Sequence, residues 1–385
     1  MSINGTAFVA GAFEHPRREI VDRSVSQIHA EVAVGALRDA GLALSDVDAF
    51  FCDGKTGFGG VSLADYLGLK LSYIDSTQTG GSSYIVHLGH AAAAIAAGKC
   101  QVALITLAGR PRTERQAEPS LTEAPEYSFE TVYGLTTAND YALAARRHMY
   151  EYGTTGAQLA EVKVAASHHA QYNEQALLRD KVSVEEVLES PMIADPLHRL
   201  DCCVITDGGG ALVVVSPEIA RQLPRHCVKI MGSGEATKHT MNGRLDLTFS
   251  GAAWAGPAAF REAGVTPSDV DYASIYDSFT FTVIQAVEDL GFCEKGHGGR
   301  FVADGGLISP GGRLPFNTDG GGLCNNHPAN HGGMTKVIEA VRQLRGEAHP
   351  AVQVPDCEIA LAYGSGGRIS TRMVSAAVVL GRQDA

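Results

Sequence analysis

Apolar and polar positions follow one pattern twice along this chain. Residues 34–54, VGALRDAGLALSDVDAFFCDG, place apolar side chains at helical spacing up to a glycine, then a polar turn, then an apolar strand. Residues 257–277, PAAFREAGVTPSDVDYASIYD, repeat the pattern. Ala40-Gly41 lines up with Ala263-Gly264 and Ser45–Asp48 with Ser268–Asp271, both 223 residues apart. A second matched pair follows: residues 83–109 and 334–367 each read as a helix stopped at glycine (Gly98, Gly346) and then a buried strand, Val102–Gly109 or Ile359–Gly367. The pairs predict a duplicated α/β unit whose facing helix ends share a site.

The predicted halves are residues 1–225 and 226–385, with an inserted loop domain over about 111–202. The insertion begins Pro/Glu-rich and continues with helical stretches around Ala138–Tyr152 and Ala157–Asn173. Residues 203–216 read as a glycine turn and a buried strand that returns to the first half, and Pro217–Pro224 as a short crossing helix.

Composition narrows the function classes. The net charge of −12 argues against a nucleic-acid surface; Arg110, Arg112, Arg115, Arg146 and Arg147 could supply a local patch for a phosphorylated ligand, but read better as solvated charges. No apolar run spans a membrane, and the N-terminus lacks the layout of a secretory signal, so a cytoplasmic protein is expected. None of the eight cysteines forms a CxxC pair, which predicts no zinc site or other metal site and no structural disulfide. GSGEATK at 232–238 is no dinucleotide fingerprint, and no P-loop occurs.

Three glycine-rich segments of the second half carry candidate chemistry: Tyr276-Asp277-Ser278-Phe279, the run Gly320–Gly333 with His327 and His331, and Tyr363–Gly367. Asp277 reads as a cap for the helix beginning near Thr280. With EYGTT, SPMIADPLHRLDCC, DGGGA at 207–211, LPFNTDGGGL, NHP and AVRQLRGEA, these segments make nearly the whole chain resemble the thiolase superfamily, closest to its sterol-carrier/lipid-transfer type. The resemblance implies a duplicated five-layer α-β-α-β-α fold with two mixed sheets around two central helices, and a dimer formed through the first half. His327-Pro328 matches the histidine that binds the thioester oxygen, YDSF stands for the NEAF or HDCF loop, and Tyr363 stands where a second catalytic cysteine opens the CxGxG turn.

The chain departs from the family at the nucleophile. The family's cysteine at the N-terminus of the helix over 82–97 maps to Gly81, within Gln78–Ser83, and no cysteine is near. A cysteinyl acyl-enzyme is therefore not expected. An oxyanion site survives, built from His327 and helix N-terminal amides around Gly332-Gly333, and it suits a thioester enolate. Retro-aldol cleavage of a β-hydroxyacyl-CoA needs that site, a base and an acid, and no nucleophile. The expected catalytic residues are His327, Tyr363, Tyr276 and His331, with Gly81, Ser82, Ser278, Asn326 and Gly364 around the oxyanion and substrate. Relatives without the cysteine resemble steroid side-chain aldolases, which implies CoA as part of the substrate, no covalent cofactor and a small OB-fold/zinc-ribbon partner protein. Two other readings stand: an acyltransferase with a displaced nucleophile (Cys324 or Ser82), and a non-catalytic acyl-CoA or lipid-binding subunit.

Overall fold

The computed structural model describes residues 2–55, 57–114, 132, 136–238, 246–329, 331–367 and 373–383. Arg115 and most of the Pro/Glu-rich start of the insertion lie outside the described residues.

The first half runs β1 (Phe8–Glu14), α1 (Val25–Ala40), β2 (Ala49–Phe51), α2 (Gly59–Leu67), β3 (Tyr73–Asp75), α3 (Ser83–Ala96) and β4 (Val102–Gly109). The insertion contributes α4 (Thr137–Tyr152), α5 (Gly156–Ala170), α6 (Val184–Glu189) and the small ribbon β5 (Met192–Ala194) and β6 (Leu197–His198). Then β7 (Gly208–Val215) returns between β4 and β1, and α7 (Pro217–Ala220) crosses over, shorter than the sequence pattern implied. The second half holds β8 (Val228–Lys238), α8 (Ala252–Ala263), β9 (Tyr272–Ile275), α9 (Thr280–Asp289), α10 (Gly298–Val302), α11 (Gly321–Cys324), α12 (Gly333–Arg345), β10 (Ile359–Gly367) and β11 (Met373–Gly381).

The strands run in the order β3-β2-β4-β7-β1-β8-β11-β10-β9. The expectation of two separate sheets is modified at one seam. Phe8 pairs with Lys229 and Val9 with Val228, so the two half-sheets are hydrogen-bonded into a single nine-stranded sheet. The layering is as expected: α1 covers the outer face of the first half-sheet, α8 that of the second, and α3 and α12 lie together between them. The middle layer is a continuous apolar core, in which Tyr84, Ile85 and Leu88 of α3 pack with Met334, Val337 and Val341 of α12.

The repeated SDVD step has a physical reason in both halves. Its first aspartate closes a short turn: Asp46 accepts from the Ala43 amide at 2.8 Å, and Asp269 from the Thr266 amide at 2.7 Å. Its second pins the start of a distant strand: Asp48 accepts from the Gln101 and Val102 amides, and Asp271 from those of Glu358 and Ile359. The preceding glycines, Gly41 and Gly264, end their helices in the left-handed conformation, which a side chain disfavours. Arg112, Arg146 and Arg147 are exposed and each pairs with an acid (Glu19, Asp195 and Glu151), as surface charges do, whereas Arg110 is largely buried: it pairs with Glu114 and donates to the Ile20 and Arg23 carbonyls.

Candidate active site

Three glycine loops meet where the central helices begin. The turn Gly80–Ser82 leads into α3, Gly332 precedes α12, and Gly364–Gly367 end β10. The backbones approach too closely for side chains. A Cβ on Gly366 would lie 1.8 Å from the Thr79 carbonyl oxygen, and one on Gly333 would lie 2.3 Å from that of Gly81. Neither α3 nor α12 has a side-chain cap on its first turn. Both helices therefore direct the positive end of the helix dipole toward the junction, and α3 is entered through the turn whose Gly80 carbonyl takes the Ser83 amide.

Tyr276 fills the centre. A Cβ on Gly81 would lie 2.5 Å from the ring and 2.6 Å from the hydroxyl of Tyr276. The volume into which a side chain at position 81 would project is thus occupied by a phenol. The Tyr276 hydroxyl lies 2.6 Å from His327 Nε2 and also accepts a hydrogen bond from the Gly332 amide. On its other side, His327 Nδ1 lies 3.5 Å from Cys203 Sγ. Burial pushes His327 down to about 4, against the opposing pull of the Asp277 carboxylate, so the ring is neutral at ordinary pH. Burial likewise holds Tyr276 well above the usual tyrosine range.

The loop carrying His327 is fixed from both halves. Thr206 accepts from the His327 amide at 2.9 Å and donates to Asn326 Oδ1 at 2.6 Å, and Asn326 Nδ2 donates to Glu14 of β1 at 2.8 Å. Buried Arg18 completes this network through Glu14 and Asn325. The Asn326 side chain is therefore engaged in holding the loop. Asp277 corrects the capping expectation: it binds the Gly322 and Leu323 amides at the start of α11 and forms a fully buried ion pair of 2.8 Å with Lys336 of α12. The chain turns back at Gly320–Gly321, both in the left-handed region, and this brings α11 over Asp277.

The other expected residues are distributed around this pair. Gly364 faces the start of α3, where a Cβ would lie 2.9 Å from the Ile85 Cδ1 and 3.2 Å from the Cα of Ser82 just before the helix. The hydroxyl of Ser82 donates to the Thr79 carbonyl at 2.9 Å. Tyr363 is buried with its hydroxyl toward Ser375 at 3.1 Å and Ser250 at 3.4 Å, and burial raises it to about 12. Ser278 is buried beside Tyr141 of α4, whose ring stacks on Phe279 at 4.6 Å. His331 points away from Tyr276: its Nδ1 lies 3.2 Å from Asp53 Oδ2 and its Nε2 lies 3.1 Å from Lys55 Nζ. The structure thus joins Tyr276 and His327 directly and gives Tyr363 and His331 partners of their own. Cys324 is buried near Lys163, and neither it nor Ser82 has a hydrogen bond to His327 among the described residues.

Sequence reasoning missed Cys203, Thr206, Tyr141, Lys336 and Asp53. Only LDCC, quoted for its resemblance, held a signal for one of them.

A duplicated five-layer fold with a glycine-lined junction, a buried histidine and no cysteine at the head of the central helix defines a thiolase-fold protein with altered chemistry. The comparisons agree: the chain belongs to the thiolase superfamily. Residues 233–382 match the family of thiolase C-terminal domain-like sequences. An acetyl-CoA acetyltransferase of Methanothermobacter thermautotrophicus is 33% identical, over 95% of this chain and 97% of its own. The 17-hydroxy-3-oxo-4-pregnene-20-carboxyl-CoA lyase of Mycobacterium tuberculosis is 36% identical, over 89% of this chain and 92% of its own. The solved structure of the Ltp2–ChsH2(DUF35) aldolase superposes with a TM-score of 0.90 at 32% identity, covering 99% of each chain.

Proposed function

We propose that this chain is a carbon–carbon lyase that cleaves a β-hydroxyacyl-CoA by a retro-aldol route, with a lipid or steroid side chain as the acyl group. The observation that carries this reading is Tyr276, which occupies the space of a side chain at position 81 and lies 2.6 Å from His327 Nε2. A proton-transfer pair stands where acyl transfer needs a nucleophile. Relatives named as lyase and aldolase support the reaction class.

In this reading, the substrate's β-hydroxyl proton passes to the Tyr276 oxygen as Tyr276 gives its own proton to His327 Nε2. The freed electron pair forms the ketone carbonyl. The bond between the α and β carbons breaks, and its electrons move onto the thioester oxygen as an enolate. The N-terminal dipole ends of α3 and α12 and the protonated His327 stabilise that charge. The proton then returns through Tyr276 to the α carbon, releasing a shorter acyl-CoA and restoring both side chains. Tyr363, Ser278 and Tyr141 line the acyl side, and CoA enters only as part of the substrate. The family resemblance assigns His327 the thioester oxygen; here it becomes a donor only after it has taken the proton.

The chain works in the cytoplasm as a homodimer with a small OB-fold/zinc-ribbon partner, a reading supported by the family resemblance and by the two-component name of the aldolase relative. The acetyltransferase relative favours a second reading, acyl transfer. One assay separates them: mass spectrometry of the full chain with its partner on a β-hydroxy steroid acyl-CoA. The lyase reading expects a ketone and a short acyl-CoA, no protein adduct, and loss of both products in His327→Ala. A protein-bound acyl mass overturns it in favour of transfer, and binding without turnover overturns it in favour of a lipid-binding subunit.

A further inference from the structure

The Tyr276–His327 pair has a third member, Cys203, the last residue of the LDCC segment. Segment 202–206 threads between the loops that carry the site. The Cys203 amide donates to the Ser278 carbonyl at 2.9 Å, the Val204 amide to that of Gly322 at 2.9 Å, and Thr206 pairs with Pro328. These backbone contacts place Cys203 Sγ 3.5 Å from His327 Nδ1. Of the eight cysteines, it alone is hydrogen-bonded to His327 among the described residues.

Hydrogen-bond lengths point to the donor. The Tyr276 oxygen accepts from the Gly332 amide. The separation of 2.6 Å to His327 Nε2 suits an O–H donor, whose bonds are shorter than those of N–H donors. Nε2 is then the acceptor, and a neutral imidazole carries its single hydrogen on Nδ1, which faces Cys203. A separation of 3.5 Å is an ordinary length for an N–H donor to sulfur.

We infer that Cys203 is a positioning residue for catalysis: its sulfur accepts the His327 Nδ1 hydrogen and holds the tautomer that leaves Nε2 free to take the Tyr276 proton. The inference rests on the lyase reading above for its kinetic consequence, but not for the tautomer. The choice of sulfur has a chemical reason. A carboxylate at this position would raise the histidine's basicity until it was already protonated at neutral pH, whereas a neutral thiol orients the ring without charging it. Burial pushes the Cys203 thiol up to about 12, so it stays neutral. The charged or titratable groups acting on His327 are Tyr276, Cys203, Asp277, His331 and Lys336.

The test uses the full chain with its partner, in wild-type, Cys203→Ala and Cys203→Ser forms. Nitrogen-15 NMR of labelled histidine reads the tautomer with no substrate present. The inference expects the His327 hydrogen on Nδ1 in wild type and Cys203→Ser, and a mixture in Cys203→Ala. For turnover, it expects kcat of Cys203→Ala to fall about tenfold or more, KM to stay, and Cys203→Ser to recover most of the rate. The acid limb of the wild-type rate, where activity is lost as His327 takes a proton, should lie near 4 and shift in Cys203→Ala. Wild-type His327 protonated on Nε2, or a Cys203→Ala enzyme with unchanged kcat and pH profile, overturns the inference. If wild type shows no turnover, the lyase reading fails, and the NMR result still decides the tautomer.

Discussion

A side chain at position 81 and the phenol of Tyr276 compete for one volume. A Cβ on Gly81 would lie 2.5 Å from the Tyr276 ring and also 2.5 Å from the Ser365 carbonyl oxygen, and neither neighbour is a flexible side-chain end. Two substitutions separate the consequences. Tyr276→Phe keeps the ring and removes only the hydroxyl, so the fold should hold while kcat falls about a hundredfold or more. Gly81→Ala keeps the hydroxyl and displaces it, so it should lose turnover and also about 1–3 kcal/mol of stability to overpacking. Steady-state rates and urea melts of both variants check this; a Gly81→Ala enzyme with normal rate would mean that Tyr276 has no fixed catalytic position. His327 and Tyr276 were legible in the sequence because each sits in a short motif of recognisable spacing. Cys203 and Thr206 were not, because they reach His327 across more than 120 residues and are brought there by backbone pairing.

Among the elements, the short turn α11 and the central helix α12 are tied together by one carboxylate. Asp277 binds two amides of α11 and the ammonium of Lys336, with both charged side chains at most 1% exposed. Removing one member of such a pair leaves the other buried and uncompensated, which costs about 3–5 kcal/mol. Asp277→Asn should therefore lower the urea midpoint strongly while leaving the slope of the transition nearly unchanged. An unshifted midpoint would show that Lys336 finds another partner. The sequence pattern placed the flanking elements well, since β4 and β10 begin and end where the apolar runs do. It misplaced Asp277, whose capped helix lies not next in sequence but 44 residues on, where glycine-permitted turns at Gly320 and Gly321 return the chain.

At the scale of the whole molecule, the nine-stranded sheet has one edge that the described residues leave open. β3 is its first strand and, among the described residues, is hydrogen-bonded on one side only, to β2. Around it Phe58, Val61, Tyr66 and Ile74 are exposed, with Phe58 at 82%. An unpaired edge flanked by apolar side chains is a template for another strand, and proteins cover such edges or pair them. A second copy of the chain can meet this edge across a two-fold axis, which pairs the two β3 strands antiparallel and buries the same residues on both sides. The duplication predicted two sheets with their own edges; the seam between β1 and β8 removes the inner pair and leaves the outer ones, β3 and β9. β9 is buried at all four residues, which leaves β3 as the edge available for association. Sedimentation velocity on the isolated chain should give a dimer. Ile74→Asp combined with Phe58→Asp should give a monomer with an unchanged thermal midpoint at high dilution. A double variant that stays dimeric would place the interface elsewhere on the chain.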